Sequence, residues 1–177
     1  MKKEDTEFNV WRELSDWLKV IVIAAAAAFI VSRTLIVNAQ VTSGSMETTV
    51  MTGSRVFVSR QAYLFHEPKR GDIVTFYCPD EPDTEYMKRI MGLPGETIEG
   101  KDGIVYINGR PIEEPYIKIK FDQDFGPFNV PEESYFMMGD NRNNSWDSRF
   151  WVNKFVKKED IIGKAELEYF PEIKAFF

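Results

Sequence analysis

One stretch near the start of the chain constrains everything after it: Val20 to Ser32, V-I-V-I-A-A-A-A-A-F-I-V-S, holds no charge. From Trp17 to Val37 the run is apolar except for Lys19, Ser32, Arg33 and Thr34. About 20 helical residues at ~1.5 Å each match a hydrocarbon core of ~30 Å. Lys19 and Arg33 lie near the ends, where long side chains reach the headgroups. A cleavable leader is the competing reading, because Val37-Asn38-Ala39 resembles a small-residue cleavage site. Against it, Arg33 interrupts the run just before that site. The leading region is also long and carries Glu4, Asp5, Glu7, Glu13 and Asp16. The expectation is a transmembrane anchor over residues 17–37. Lys2, Lys3, Arg12 and Lys19 precede the run, which puts the 1–16 segment on the cytoplasmic side of a cell membrane in a single-pass arrangement. Residues 38–177 then form an extracytoplasmic domain, with the lipid bilayer as a partner.

Charge and composition remove several function classes. The net charge is -6, and because residues 1–38 are balanced, all of it falls on the remainder. An acidic balance with no Lys/Arg tract argues against a nucleic-acid partner. There is one Cys, Cys78, and one His, His66. An internal disulfide framework, a Cys/His zinc cluster and a two-His metalloprotease motif are therefore excluded.

Residues 39–177 read as mainly β. Arg55–Val58, Asp72–Tyr77, Glu85–Met91, Tyr135–Met138 and Ile161–Phe170 are candidate strands, separated by Gly and Pro turns. Val105-Tyr106-Ile107 followed by Asn108-Gly109 and Arg110-Pro111-Ile112 is a hairpin signal, since Asn-Gly suits a type I′ turn. Residues 81–85 and 122–129 read as exposed loops. Many short strands with such turns predict an antiparallel sandwich or open barrel.

Three segments carry candidate chemistry. In Thr42-Ser43-Gly44-Ser45-Met46, Gly44 lets the backbone turn tightly and frees the Ser45 amide to face a developing oxyanion. It follows the apolar run by only a few residues, so a nucleophile here works at a bilayer surface. In Tyr86-Met87-Lys88-Arg89-Ile90, strand periodicity puts Tyr86, Lys88 and Ile90 on one face. A Lys turned inward there loses hydration, its pKa falls, and it becomes a base for a Ser hydroxyl. The third is the polar stretch Gly139 to Arg149, dense in side chains that bond backbone and fix a non-regular loop. Asp147 and Arg149 are spaced to pair. Each also has an ordinary reading, as a loop, a solvated edge-strand Lys and a surface loop. His66 lies in a turn, Phe65-His66-Glu67-Pro68, with nothing beside it to build a Ser-His-Asp triad. Nothing near Cys78 in sequence lowers a thiol pKa.

Taken together, these segments resemble the type I signal peptidases, membrane-bound Ser/Lys endopeptidases that remove signal peptides from secreted pre-proteins. The resemblance rests on four boxes in order behind an anchor: Ser43-Gly44-Ser45-Met46, Arg70 to Val74, Lys88 to Gly95, and Gly139 to Arg149. It implies that Ser45 is the acylating nucleophile and Lys88 the general base. The Ser45 amide and the Ser43 hydroxyl would form the oxyanion hole, and Ser145 would orient Lys88. Asp147 and Arg149 would support the site, and Met46 would wall the pocket. The implied fold is the family's barrel-like catalytic domain, with no metal and no cofactor. Signal peptides of secretory pre-proteins are the implied partners. Two departures stand out. Thr48 occupies a position where the family usually has Pro, and no Gly follows within a few residues of Arg149. Two readings from other classes compete: a membrane-anchored scaffold without catalysis, and a Ser/Lys self-cleaving regulator.

Overall fold

The computed structural model describes residues 10–176; expectations for residues 1–9 lie outside it. The chain divides after Ile36 into two compact units. The described residues of the first form one helix, α1 (Val10–Leu35). Its five consecutive alanines are strong helix formers, and no Gly or Pro interrupts it. Asp16 and Lys19, one turn apart on its surface, pair at 2.8 Å. Val20 through Ile23 are 57–68% exposed. Among the described residues no helix is long and apolar enough to cross a membrane. The side chains of residues 30–34, including Arg33 and the end of the apolar run, lie outside the described set. The helix begins before the expected 17–37 segment, and β-branched Ile36 and Val37 at its end lie in a strand.

That strand is β1 (Ile36–Gln40), and among the described residues eleven more follow. They are β2 (Arg55–Ser59), β3 (Ile73–Cys78), β4 (Glu81–Gly92), β5 (Thr97–Lys101), β6 (Ile104–Ile107) and β7 (Arg110–Pro111). Then come β8 (Phe125–Asn129), β9 (Ser134–Met138), β10 (Phe155–Lys157), β11 (Ile161–Phe170) and β12 (Lys174–Ala175). The larger sheet has the order β1-β2-β11-β3-β4-β9-β10, with β12 added on β11; the smaller runs β7-β6-β5-β8. Every pairing from β2 onward is antiparallel, so the mainly β, antiparallel expectation holds. The Asn108-Gly109 turn joins β6 to β7 with φ of 50° and 74° at its two central residues, as a type I′ turn requires.

Two expected loops are strand instead. Residues 81–85 open β4, a twelve-residue strand whose first half is solvent-exposed. Acidic side chains hid it, because period-two alternation needs a buried face to become visible. Residues 125–129 form β8 despite Gly126 and Pro127, which sit on the outer strand of the smaller sheet, where a missing donor is tolerated.

Strand β4 organises the site. Along β3 it pairs Val74 with Lys88 and Thr75 with Met87. Along β9 it pairs only from Arg89 onward. Residues 84–88 therefore keep an edge without a partner strand among the described residues. Directly opposed residues share a face, so Lys88 lies with Val74, while Thr75 and Met87 lie on the other side. The packing agrees: Tyr86 joins the cluster of Val74, Phe76 and Ile90, whereas Met87 packs with Val41, Met46 and Ile73.

Candidate active site

Ser45 sits in a short 3₁₀ turn, Gly44–Met46, which begins four residues after β1 ends. Asn141 holds this turn from across the site. Its backbone N–H donates to the Ser45 carbonyl at 3.0 Å and its side-chain amide donates to the Gly44 carbonyl at 2.9 Å. With both carbonyls held, the Ser45 side chain is left facing a cleft of about 820 Å³. The Ser43 hydroxyl lies 3.2 Å from the Ser45 hydroxyl.

Lys88 enters the same cleft from β4 and is 4% exposed. Its Nζ donates to Ser45 Oγ at 2.5 Å and stands 5.3 Å from the Tyr86 ring centroid. Burial pushes its pKa down from 10.5 to about 8; the Arg149 charge acts in the same direction, and Asp147 and Asp140 oppose it. A charged Lys88 donates to Ser45. A neutral Lys88 at the same contact accepts the hydroxyl proton, the arrangement needed to activate a serine.

The loop after β9 completes the wall. Asp147, fully buried, accepts the Gly139 N–H at 2.9 Å and pairs with Arg149 through two hydrogen bonds of 2.8 Å. Arg149 also donates to the Arg142 carbonyl at 2.7 Å. The loop is thereby tied at both ends by charge-assisted bonds. Ser145 lines the cleft and is 6% exposed, but its hydroxyl has no hydrogen-bond partner among the described residues. The bond to Lys88 implied by the resemblance is not formed in this structure. Ser145 crowds Gly139 instead: a Cβ on Gly139 would lie 2.2 Å from Ser145 Oγ and 2.4 Å from the Ser45 carbonyl.

The structure brings Ser43, Ser45, Lys88 and Ser145 into one cleft. Met46 is not part of that wall. The 3₁₀ turn points it inward, where it is 1% exposed among Val41, Val50 and Val56. His66 is exposed and does not line the cleft. Cys78 is buried, and burial pushes its thiol pKa up, away from a reactive thiolate.

Sequence reading missed several residues that build the site. Arg89, next to Lys88 but on the opposite face, forms a bidentate pair with Asp140 at 2.9 and 2.6 Å and donates to the Gly71 carbonyl at 2.7 Å. Arg142 pairs with Glu114. Asp140, Asn141 and Arg142 were visible only as a polar run, because their partners lie far off in the chain. Thr75 gave no signal beyond membership of a strand.

Comparison with known proteins is consistent with this geometry. A family profile described as "Signal peptidase, peptidase S26" matches residues 14–170. The chain is 38% identical over 178 residues to a "Signal peptidase I" of Bacillus licheniformis, covering 95% of each sequence. It is 40% identical to a "Signal peptidase I P" of Bacillus subtilis subsp. natto, covering 94% of this chain and 95% of that one. A crystal structure of a signal peptidase I from Enterococcus faecalis V583 superposes with a TM-score of 0.50 at 36% identity, over 55% of this chain and 96% of that one.

Proposed function

The chain belongs to the signal peptidase family, peptidase S26, and we propose that it removes signal peptides from secretory pre-proteins through a Ser45/Lys88 pair. The observation that carries this reading is the 2.5 Å contact between Lys88 Nζ and Ser45 Oγ, two side chains that line one cleft of about 820 Å³. Neutral Lys88 takes the Ser45 proton as Oγ attacks the carbonyl carbon of the scissile bond. The resulting oxyanion is received by the Ser45 amide and the Ser43 hydroxyl, whose proximity to Ser45 suits that task. Lys88 returns the proton to the leaving amine, and an acyl group remains on Ser45. Water, deprotonated by Lys88, then releases it. Ser145 serves to position the Lys88 amine once the cleft is filled. Asp147 and Arg149 hold the loop that carries it. The unpaired edge at residues 84–88 offers the peptide a strand to add to.

We read α1 as the anchor that holds this chemistry at a membrane, with the domain from Val37 onward outside the cell. The exposure of Val20–Ile23 around a full helical turn and the uncharged run that continues past it support this reading. The anchor is tested by extraction of membranes at high pH, and the orientation by protease protection of the N-terminus. Cleavage is tested by incubating the detergent-solubilised full chain with a secretory precursor and weighing the products by mass spectrometry. A single cut that releases the leader, absent in Ser45→Ala, is expected. A cut that persists in Ser45→Ala would remove Ser45 from the mechanism.

A further inference from the structure

Two residues that line the cleft, Ser145 and Thr75, have buried hydroxyls with no hydrogen-bond partner among the described residues. Ser145 already has a place in the loop beside Lys88. Thr75 has none. It is 5% exposed, and its register opposite Met87 puts it on the face of β4 away from Lys88. Nearby on that side, Val37, Ala39 and Met87 pack on the core cluster and line the same cleft. Valine would fill the space of Thr75 with no polar atom to satisfy. A hydroxyl buried without a partner costs free energy that a bound group recovers by pairing with it.

We propose that Thr75 is a specificity-determining residue, whose hydroxyl hydrogen-bonds a serine side chain of the bound peptide and favours serine over alanine at that position. This rests on the reading of the cleft as the peptide site. An extended peptide added to the open edge at residues 84–88 turns alternate side chains to opposite sides. One set faces the Ser45 and Lys88 side, while the Thr75 side receives a side chain of its own. Serine is small enough to replace alanine with little added volume. A site that pairs a buried hydroxyl discriminates against the substrate that leaves it unpaired.

The test uses the detergent-solubilised full chain and a precursor peptide with alanine at the first, second and third positions before the scissile bond. Three further peptides carry serine at one of these positions each. The quantity read is the ratio of kcat/KM for serine over alanine. Wild type is expected to prefer serine about fivefold at one position. Thr75→Val brings that ratio to about one, and Thr75→Ser, which keeps the hydroxyl, preserves it. The proposal is overturned if wild type shows no serine preference at any position. It is equally overturned if Thr75→Val slows both peptides alike and leaves the ratio standing, the result of a purely structural role. Failure of the peptidase reading looks different: wild type then cuts none of the four peptides, and both proposals fall together.

Discussion

Lys88 and Ser45, 43 positions apart in sequence, meet through a hydrogen bond of 2.5 Å between Nζ and Oγ in a buried setting. Neither side chain gains reactivity alone: the hydroxyl is a weak nucleophile and the exposed ammonium is no base. Replacing either with alanine is expected to reduce cleavage to background with the fold intact. The double variant should be about as inactive as each single one, because the two act as a unit. Lys88→Arg should also be inactive, since guanidinium stays protonated. His66→Ala and Cys78→Ala should cut normally. Single-turnover cleavage with circular dichroism on each variant checks all six, and an inactive but folded His66→Ala would refute the pair.

Cleavage should rise with pH along a limb centred near 8, the value to which burial lowers Lys88, because the neutral amine is the active form. The linked effect on stability has a definite sign. The unfolded chain binds this proton more tightly than the folded one, so Lys88 makes folding more favourable as pH climbs from about 8 towards 10.5. Below that window its buried charge costs about 3 kcal/mol, and Lys88→Met should raise Tm at neutral pH. Activity profiles, together with melts at pH 7 and pH 10, read both effects. A Tm advantage of Lys88→Met that fails to shrink at the higher pH would contradict the assignment.

Gly139→Ala should lose cleavage by about 100-fold while the domain still folds. The added Cβ falls against Ser145 Oγ and the Ser45 carbonyl, so relief requires the nucleophile's turn or the facing loop to move. A Gly109→Ala control, in a turn where a Cβ meets nothing within 4 Å, should disturb stability through its positive φ but leave the rate alone. Near wild-type kcat/KM in Gly139→Ala would show that the loop yields freely.

Asp147→Ala should destabilise the domain by about 3 kcal/mol or more, because it strands a buried Arg149 guanidinium and the Gly139 N–H together. Chemical denaturation measures this. A midpoint within error of wild type would mean that water replaces the carboxylate.

Small residues should be required at the first and third positions before the scissile bond. The third position lies one strand period from the first, so both side chains turn to the protein together. Peptides with tryptophan at the first position should be cut at less than one hundredth of the alanine rate, by overlap with the cleft wall. Equal cleavage of the two would remove the size filter.

Much of this protein can be read from local sequence, because the relevant physics is local. The Asn108-Gly109 hairpin follows from two residues that accept positive φ. Periodicity along Tyr86-Met87-Lys88 was enough to turn Lys88 away from Arg89, and the spacing of Asp147 and Arg149 was enough to pair them. Other features depend on which segments become neighbours, a matter settled by sheet order. Strand β1 pairs with β2 at one end of the larger sheet, yet the chain that follows it delivers Ser45 to the cleft walled by β4, four strands away in that order. Met46 went to the core because the 3₁₀ turn presents adjacent side chains in different directions. Residues 81–85 became strand because β3 supplied hydrogen-bond partners that their own exposed side chains did not advertise. Periodicity pointed to a lowered Lys88 pKa, but its extent, like the unpaired hydroxyl of Thr75, arises from removal of water by residues distant in sequence, which only the assembled fold brings into place.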